Sequence, residues 1–347
     1  MEESARFRAR DLGIAPGRFQ PGPLNAITDV LGVAVGHVTL DDGPDIRTGV
    51  TAIVPDALAT RRSFPVGLFV GNGYGKLIGA TQLVELGEIE TPILLTGTLS
   101  AFRVADALVT YVLSLPGNEE MVSVNPVVGE TNDGHLSDIR ARPITTAHVL
   151  EAIRSANPGP VAEGCVGAGT GTIALGFKAG IGTASRKIPI DASREPVTIG
   201  VLVQANFGGT LTVLGVPIPA TAALAGLEAD TGARDESGGN SCMIVVATDA
   251  PLDSRQLTRL ATRAVFAMGR VGASYAHGSG DYGIAFSVGE GQSLAGRTLD
   301  PLFAAVQEAV EEALLNALFM AETTVGYRGR VAHAVPLEFV RQRLSLR

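Results

Sequence analysis

The chain has 347 residues, of which 46% are hydrophobic and 18% charged, and its formal net charge is −8. That is too apolar and too lightly charged for a disordered chain, and the length suits one large α/β domain or two ordinary ones. An acidic chain with no Lys/Arg run is a poor ligand for phosphate backbones, which excludes nucleic acid as a partner.

The two cysteines, Cys165 and Cys242, are too few for a disulfide scaffold or a cysteine zinc site. The five histidines (37, 135, 148, 277 and 333) form no HExxH-like pair, so neither a metal nor another cofactor is expected. The charged start, MEESARFRARDLGI, has no apolar core of a signal peptide, so a cytoplasmic protein is expected. The uncharged stretch 196–227 is interrupted by Gly208-Gly209, Pro217 and Pro219, which makes it strands rather than a membrane span. Forty-three glycines, against a usual share of roughly 7%, indicate many tight turns.

In chain order, Thr48–Val54, Val66–Val70 and Ile93–Thr96 read as strands too continuously apolar for a sheet with a wet face. Ser100 is placed to cap a helix running to Leu113, and Val122–Val128 reads as the next strand. Val197–Ala205 and Met243–Ala247 are further buried strands. Asp253 caps a helix over 254–268, with Leu257, Leu260, Ala261, Ala264, Val265 and Met268 on one face. Asp300-Pro301 opens a last helix with Leu302, Val306, Ala309, Val310, Ala313 and Leu314 on its stripe. The result is a layered α/β protein with buried sheets.

Between these elements lie the segments that could carry chemistry. Val70-Gly-Asn-Gly-Tyr-Gly-Lys76 lacks the first glycine and the Ser/Thr of a P-loop, and Val166-Gly-Ala-Gly-Thr-Gly-Thr172 lacks the last glycine of a dinucleotide fingerprint. Both read as turns or substrate-facing backbone. Neither Gly239-Asn-Ser-Cys-Met243 nor His277-Gly-Ser-Gly-Asp281 completes the GxSxG elbow. The polar, glycine-rich Thr231–Asn240 reads as an exposed loop, a composition that ordinary linkers share, and it stops at Ser241. If the peptide before Ser241 breaks, its α-amino group, with a reference pKa of about 7.7–8.0, becomes an adjacent base that needs no histidine. Strand alternation puts Ser279 and Asp281 on one side, where they could serve as turn formers or face one pocket.

Gly239-Asn-Ser-Cys-Met-Ile-Val-Val-Ala-Thr-Asp-Ala-Pro-Leu252 resembles the nucleophile segment of the L-aminopeptidase/D-esterase and β-aminopeptidase family of self-processing serine hydrolases. The resemblance runs through nearly the whole chain. Arg8–Ile14, Asn25–Val30, Arg47–Ile53, Gly71–Lys76, Glu130–Gly134, Gly180–Arg186 and Gln204–Gly208 are similar to its blocks in the expected order.

The resemblance implies a four-layer α/β/β/α sandwich like that of N-terminal-nucleophile hydrolases, differently connected. It implies cleavage between Asn240 and Ser241 into segments 1–240 and 241–347, which stay together as one structural domain and commonly assemble as a tetramer of such pairs. By position, Ser241 is then the nucleophile, Ser279 and Asp281 the proton relay, and Asn206 the oxyanion amide. Glu130 contacts the substrate's ammonium group. Asp281 is one methylene shorter than the Glu of some members. The tyrosine that assists the oxyanion in some members is not placed in this chain, and the neighbourhood offers Asn132, His135 or another residue as the second donor. The activity implied is removal of an N-terminal residue from small peptides, amides or esters, D-amino and β-amino acid substrates included. An amidase for ω-amino acid oligomers is the alternative on the same scaffold, although its members carry Thr at the position of Ser241. A metabolite-binding protein without catalysis would need none of these residues.

Overall fold

A computed structural model describes residues 5–59, 63–190, 195–226, 240–294 and 296–345. Its two main sheets are built from β1 (Val33–Asp42), β2 (Ile46–Pro55), β3 (Phe64–Gly73), β4 (Glu88–Ile89), β5 (Ile93–Gly97), β6 (Val127–Thr131), β7 (Ile181–Ile188), β8 (Val197–Asn206), β9 (Asn240–Thr248) and β10 (Ser279–Ser287). One sheet has the order β1-β2-β5-β6 and the other β4-β3-β10-β9-β8-β7. The β5–β6 and β9–β10 pairs are parallel and the rest antiparallel. The main helices are α1 (Ala101–Leu113), α2 (Thr146–Arg154), α3 (Ser254–Ala267) and α4 (Asp300–Phe319).

Three apolar layers hold four structural layers together. Ile53, Leu95 and Val127 of the first sheet meet Leu202, Met243, Val245 and Ile284 of the second. Val50, Ala52, Leu94 and Val128, on the first sheet's outer face, pack on Val104 and Leu108 of α1 and Val149 and Ile153 of α2. Ile244 and Val246 pack on the other side against Leu257 and Leu260 of α3 and Ala309 and Ala313 of α4. Alternate residues of one strand thus enter different cores, so these strands are apolar throughout. This is the α/β/β/α sandwich.

The helix starts differ in how they are made. Asp253 accepts from the Gln256 N–H at 2.8 Å and completes a capping box. Pro301 occupies the first turn of α4. Ser100, expected as a side-chain cap, makes no such bond, because a 3-10 turn over Thr98–Ser100 leads directly into α1. The strand expected over Val122–Val128 begins only at Val127: Pro126 has no N–H to offer a ladder, and Val122 is almost wholly exposed. Glu130 therefore lies inside β6, opposite Thr96, rather than beyond its end.

Some charged groups are interior. Arg186 of β7 is fully buried and donates from Nη2 to Glu312 Oε2 at 2.7 Å, while Arg10 Nε reaches Glu312 Oε1 at 2.8 Å. A Cβ at Gly182 would fall 1.9 Å from the Ala313 carbonyl, so glycine there lets α4 lie directly on β7. The Arg8–Ile14, Asn25–Val30 and Gly180–Arg186 segments thus serve a buried ion network and a close helix–sheet contact. Among the described residues, no helix is long and apolar enough to cross a membrane.

Candidate active site

The loop Thr231–Asn240 lies outside the described residues up to position 239, and the description resumes at Asn240, the first residue of β9. From there the sheet sets a row across neighbouring strands. Asn206 of β8 stands opposite Ser241, and Ser241 stands opposite Gly280 of β10. One step along, Asp281 stands opposite Asn72 of β3. All four strands end their ladders here.

Ser241 is 3% exposed. Its hydroxyl donates to the Asn240 carbonyl at 2.5 Å and accepts from the Gly280 N–H at 3.3 Å. The hydroxyl therefore sits against the peptide that self-cleavage would break. Ser279 Oγ donates to Asp281 Oδ1 at 2.7 Å, so the expected hydroxyl–carboxylate pair forms and is buried. Asp281 Oδ2 accepts from Asn72 Nδ2 at 3.1 Å. Burial pushes the Asp281 carboxyl above the usual carboxylate range, while the Ser279 hydroxyl, the Asn72 amide and the Cys242 N–H pull it back.

The register adds a detail that alternation within one strand does not reveal. Because Ser241 pairs with Gly280, Ser279 pairs with Asn240. Ser279 is thus in step with the residue before Ser241, and Asp281 with Cys242, the residue after it.

Asn206 is 2% exposed and held from both ends. Its Oδ1 accepts from the Ile173 N–H at 3.1 Å, and its Nδ2 donates to the Asn132 carbonyl at 3.0 Å. The Asn132 contact orients the amide nitrogen. Asn132 itself turns its Oδ1 to the Gly134 N–H at 2.9 Å. The His135 carbonyl accepts from Arg330 at 3.3 Å. These contacts make Asn132 a support for Asn206.

Glu130, also 2% exposed, accepts from the Lys76 N–H at 2.7 Å, and the Lys76 ammonium lies 3.7 Å away. Burial raises its pKa, opposed by Lys76 and the Thr98 hydroxyl. The link from Glu130 to Ser241 runs through Gly75. A Cβ there would fall 3.2 Å from both Glu130 Oε1 and the Tyr282 hydroxyl, and one on Gly280 would fall 3.1 Å from the Gly75 Cα. Only a bare backbone passes between the two groups. Asn72, Lys76 and Tyr282 are the site residues that reading for motifs missed. The one sequence signal for Asn72 and Lys76 was the glycine-rich Gly71–Lys76, which failed as a phosphate loop but proves to be site-facing backbone.

Next to Asn132, Asp133 is buried and its Oδ2 has no hydrogen-bond partner among the described residues. Burial pushes its pKa up from 3.8 to about 6. A raised acid costs nothing below the unfolded value, and its penalty accumulates between pH 3.8 and about 6. Asp133→Asn should therefore gain stability relative to the parent between pH 4 and 7, by up to about 3 kcal/mol at roughly 1.36 kcal/mol per unit. Urea unfolding at both pH values measures the difference, and a constant offset would refute it.

The chain is similar to known proteins over most of its length. Peptidase family S58 matches residues 25–332. The beta-peptidyl aminopeptidase BapA of Sphingosinicella microcystinivorans is 39% identical over 95% of this chain and 89% of its own. A solved beta-aminopeptidase from a Burkholderia species is 39% identical, with 98% of this chain and 99% of that one covered at a TM-score of 0.87. The L-aminopeptidase D-Ala-esterase/amidase of Ochrobactrum anthropi, described as a variant of the Ntn hydrolase fold, is 34% identical over 98% of both chains at a TM-score of 0.85. With this fold and a family match that spans most of its length, the chain belongs to peptidase family S58.

Proposed function

We propose that this protein is a self-processing serine aminopeptidase that removes the N-terminal residue from small peptides, amino acid amides or esters, with D- and β-amino acyl groups in its range. The observation that carries the reading is the strand row that sets a buried hydroxyl, Ser241, between the oriented amide of Asn206 and the Gly280 N–H. In processing, Ser241 Oγ attacks the Asn240 carbonyl, the peptide nitrogen leaves as the new α-amino group, and water opens the ester. In turnover, the same oxygen attacks the substrate carbonyl, the substrate's amine leaves with a proton, and water releases the acyl group. The freed amine, bordered by Ser279 and Asp281, is the base that takes the hydroxyl proton. A preorganised donor such as Asn206 Nδ2 contributes roughly 2.7–4 kcal/mol to such a reaction. Neither alternative reading is favoured. An oligomer amidase has no observation of its own here, and a binding protein has no use for the hydroxyl–carboxylate pair. On the family's pattern, the cleaved pairs assemble as a tetramer.

Glu130 is the anchor for the substrate's free ammonium in this reading. A hydrogen bond to a charged group contributes roughly 1.5–3 kcal/mol. The protein should therefore hydrolyse β-alanyl and alanyl amides but not their N-acetyl forms, and Glu130→Gln should lose tenfold or more in kcat/KM on the free amines. Equal rates on acetylated and free-amine amides would make it an endo-acting amidase instead.

A further inference from the structure

Beside Glu130 lies a second feature that the hydrolytic chemistry does not use. A cleft of about 430 Å³ is lined by Lys76, Thr98, Leu99, Phe102, Arg140 and Arg142. Three of its six lining residues are cationic, in a chain whose net charge is −8. Arg140 and Arg142 are exposed, and Arg103, whose guanidinium donates to the Arg142 carbonyl at 2.6 Å, adds a further positive charge at the rim. The acidic group nearest in sequence, Asp138, accepts from the Arg140 N–H at 3.2 Å. Leu99 and Phe102 supply apolar wall, 40% and 64% exposed.

Lys76 joins this cleft to the site. Its ammonium donates to Thr98 Oγ1 at 2.7 Å and lies 3.7 Å from Glu130 Oε1. A substrate ammonium arriving at Glu130 meets a carboxylate already shared with a lysine, and two cations on one carboxylate are poorly matched. A substrate residue that carries a carboxylate as well as the ammonium resolves the mismatch. Its ammonium takes Glu130 and its carboxylate takes Lys76 with Arg140 and Arg142, so one internal ion pair becomes two.

We propose that this cleft selects for a carboxylate on the substrate's N-terminal residue, a preference that rests on the aminopeptidase reading above. The acids that fit are glutamyl and aspartyl groups, including the β-aspartyl linkage, in which ammonium and carboxylate sit on the same carbon. The apolar wall takes the methylene stem. The substrate's other end is a poor match, because the cleft adjoins the ammonium anchor and not the leaving amine.

The test compares kcat/KM for glutamyl and glutaminyl amides, which differ in charge and hardly in shape, with alanyl and β-alanyl amides measured alongside. Wild-type protein should prefer the glutamyl amide at least tenfold, and Arg140→Glu should lower that ratio at least tenfold. Raised salt should compress the ratio, as expected for partly exposed charges. A wild-type ratio of one or below, or a ratio unchanged in Arg140→Glu, overturns the proposal. If alanyl and β-alanyl amides are turned over in either case, the aminopeptidase reading survives that failure. If the processed wild type hydrolyses none of the four amides, both readings fall.

Discussion

Replacing Ser241 with alanine should leave a single polypeptide of 35.7 kDa on denaturing electrophoresis, where the parent gives fragments of 240 and 107 residues, about 25 and 11 kDa. The expectation rests on the hydroxyl that lies 2.5 Å from the Asn240 carbonyl oxygen. No cysteine or histidine makes a hydrogen bond to it among the described residues. Turnover should fall to background, because nucleophile and base are lost together: one needs the hydroxyl, the other the amine that cleavage exposes. Fold and assembly should persist, since the substitution removes one oxygen from a 3%-exposed position and adds no bulk. A variant that still splits, or a fully active parent that stays at one band, would refute self-processing at this peptide.

The second large effect belongs to Ser279 and Asp281. Ser279→Ala and Asp281→Asn should each lower turnover by about 10²- to 10⁴-fold, the range for lost general acid–base catalysis, and should slow cleavage as well. The folded pair of segments should survive, because the Asn72 amide and Cys242 N–H remain beside position 281. If the two residues only shape the start of β10, both variants will keep near-normal rates and lose stability instead. Electrophoresis after timed expression, with turnover of a β-alanyl amide, separates the outcomes.

How far the sequence could be read depended on which surfaces each residue buries. β2, β5, β8 and β9 were legible because both of their faces enter apolar layers, which leaves runs such as Met243–Ala247 without a polar break. β1 was missed because it is an edge strand whose outer half carries His37, Thr39, Asp41 and Asp42. β7 was missed because its Ser185 and Arg186 are satisfied by partners 126 to 160 residues away. In the site, Ser241, Ser279 and Asp281 stand at strand starts that local pattern reveals. Asn72 and Lys76 do not, since their partners Asp281 and Glu130 lie 209 and 54 positions off and meet them only when the sheets close. Glu130 was identified through resemblance, yet its setting inside β6 needed the fold.

The strand row has a consequence for the life of the molecule before it is an enzyme. Asn206, Ser241, Gly280 and Asn72 come from four strands, and the sheet order interleaves β3, from early in the chain, with β9 and β10 from its last third. No translation product that stops short of β10 can assemble that row, and no chain with an open sheet holds Ser241 beside both Asn206 and Gly280. If the Asn240–Ser241 peptide breaks as proposed, its breakage would record that this row has formed. On that reading a misfolded copy would stay a single chain without a free N-terminal serine, and hydrolytic power would be withheld from every copy that has not closed the sheet.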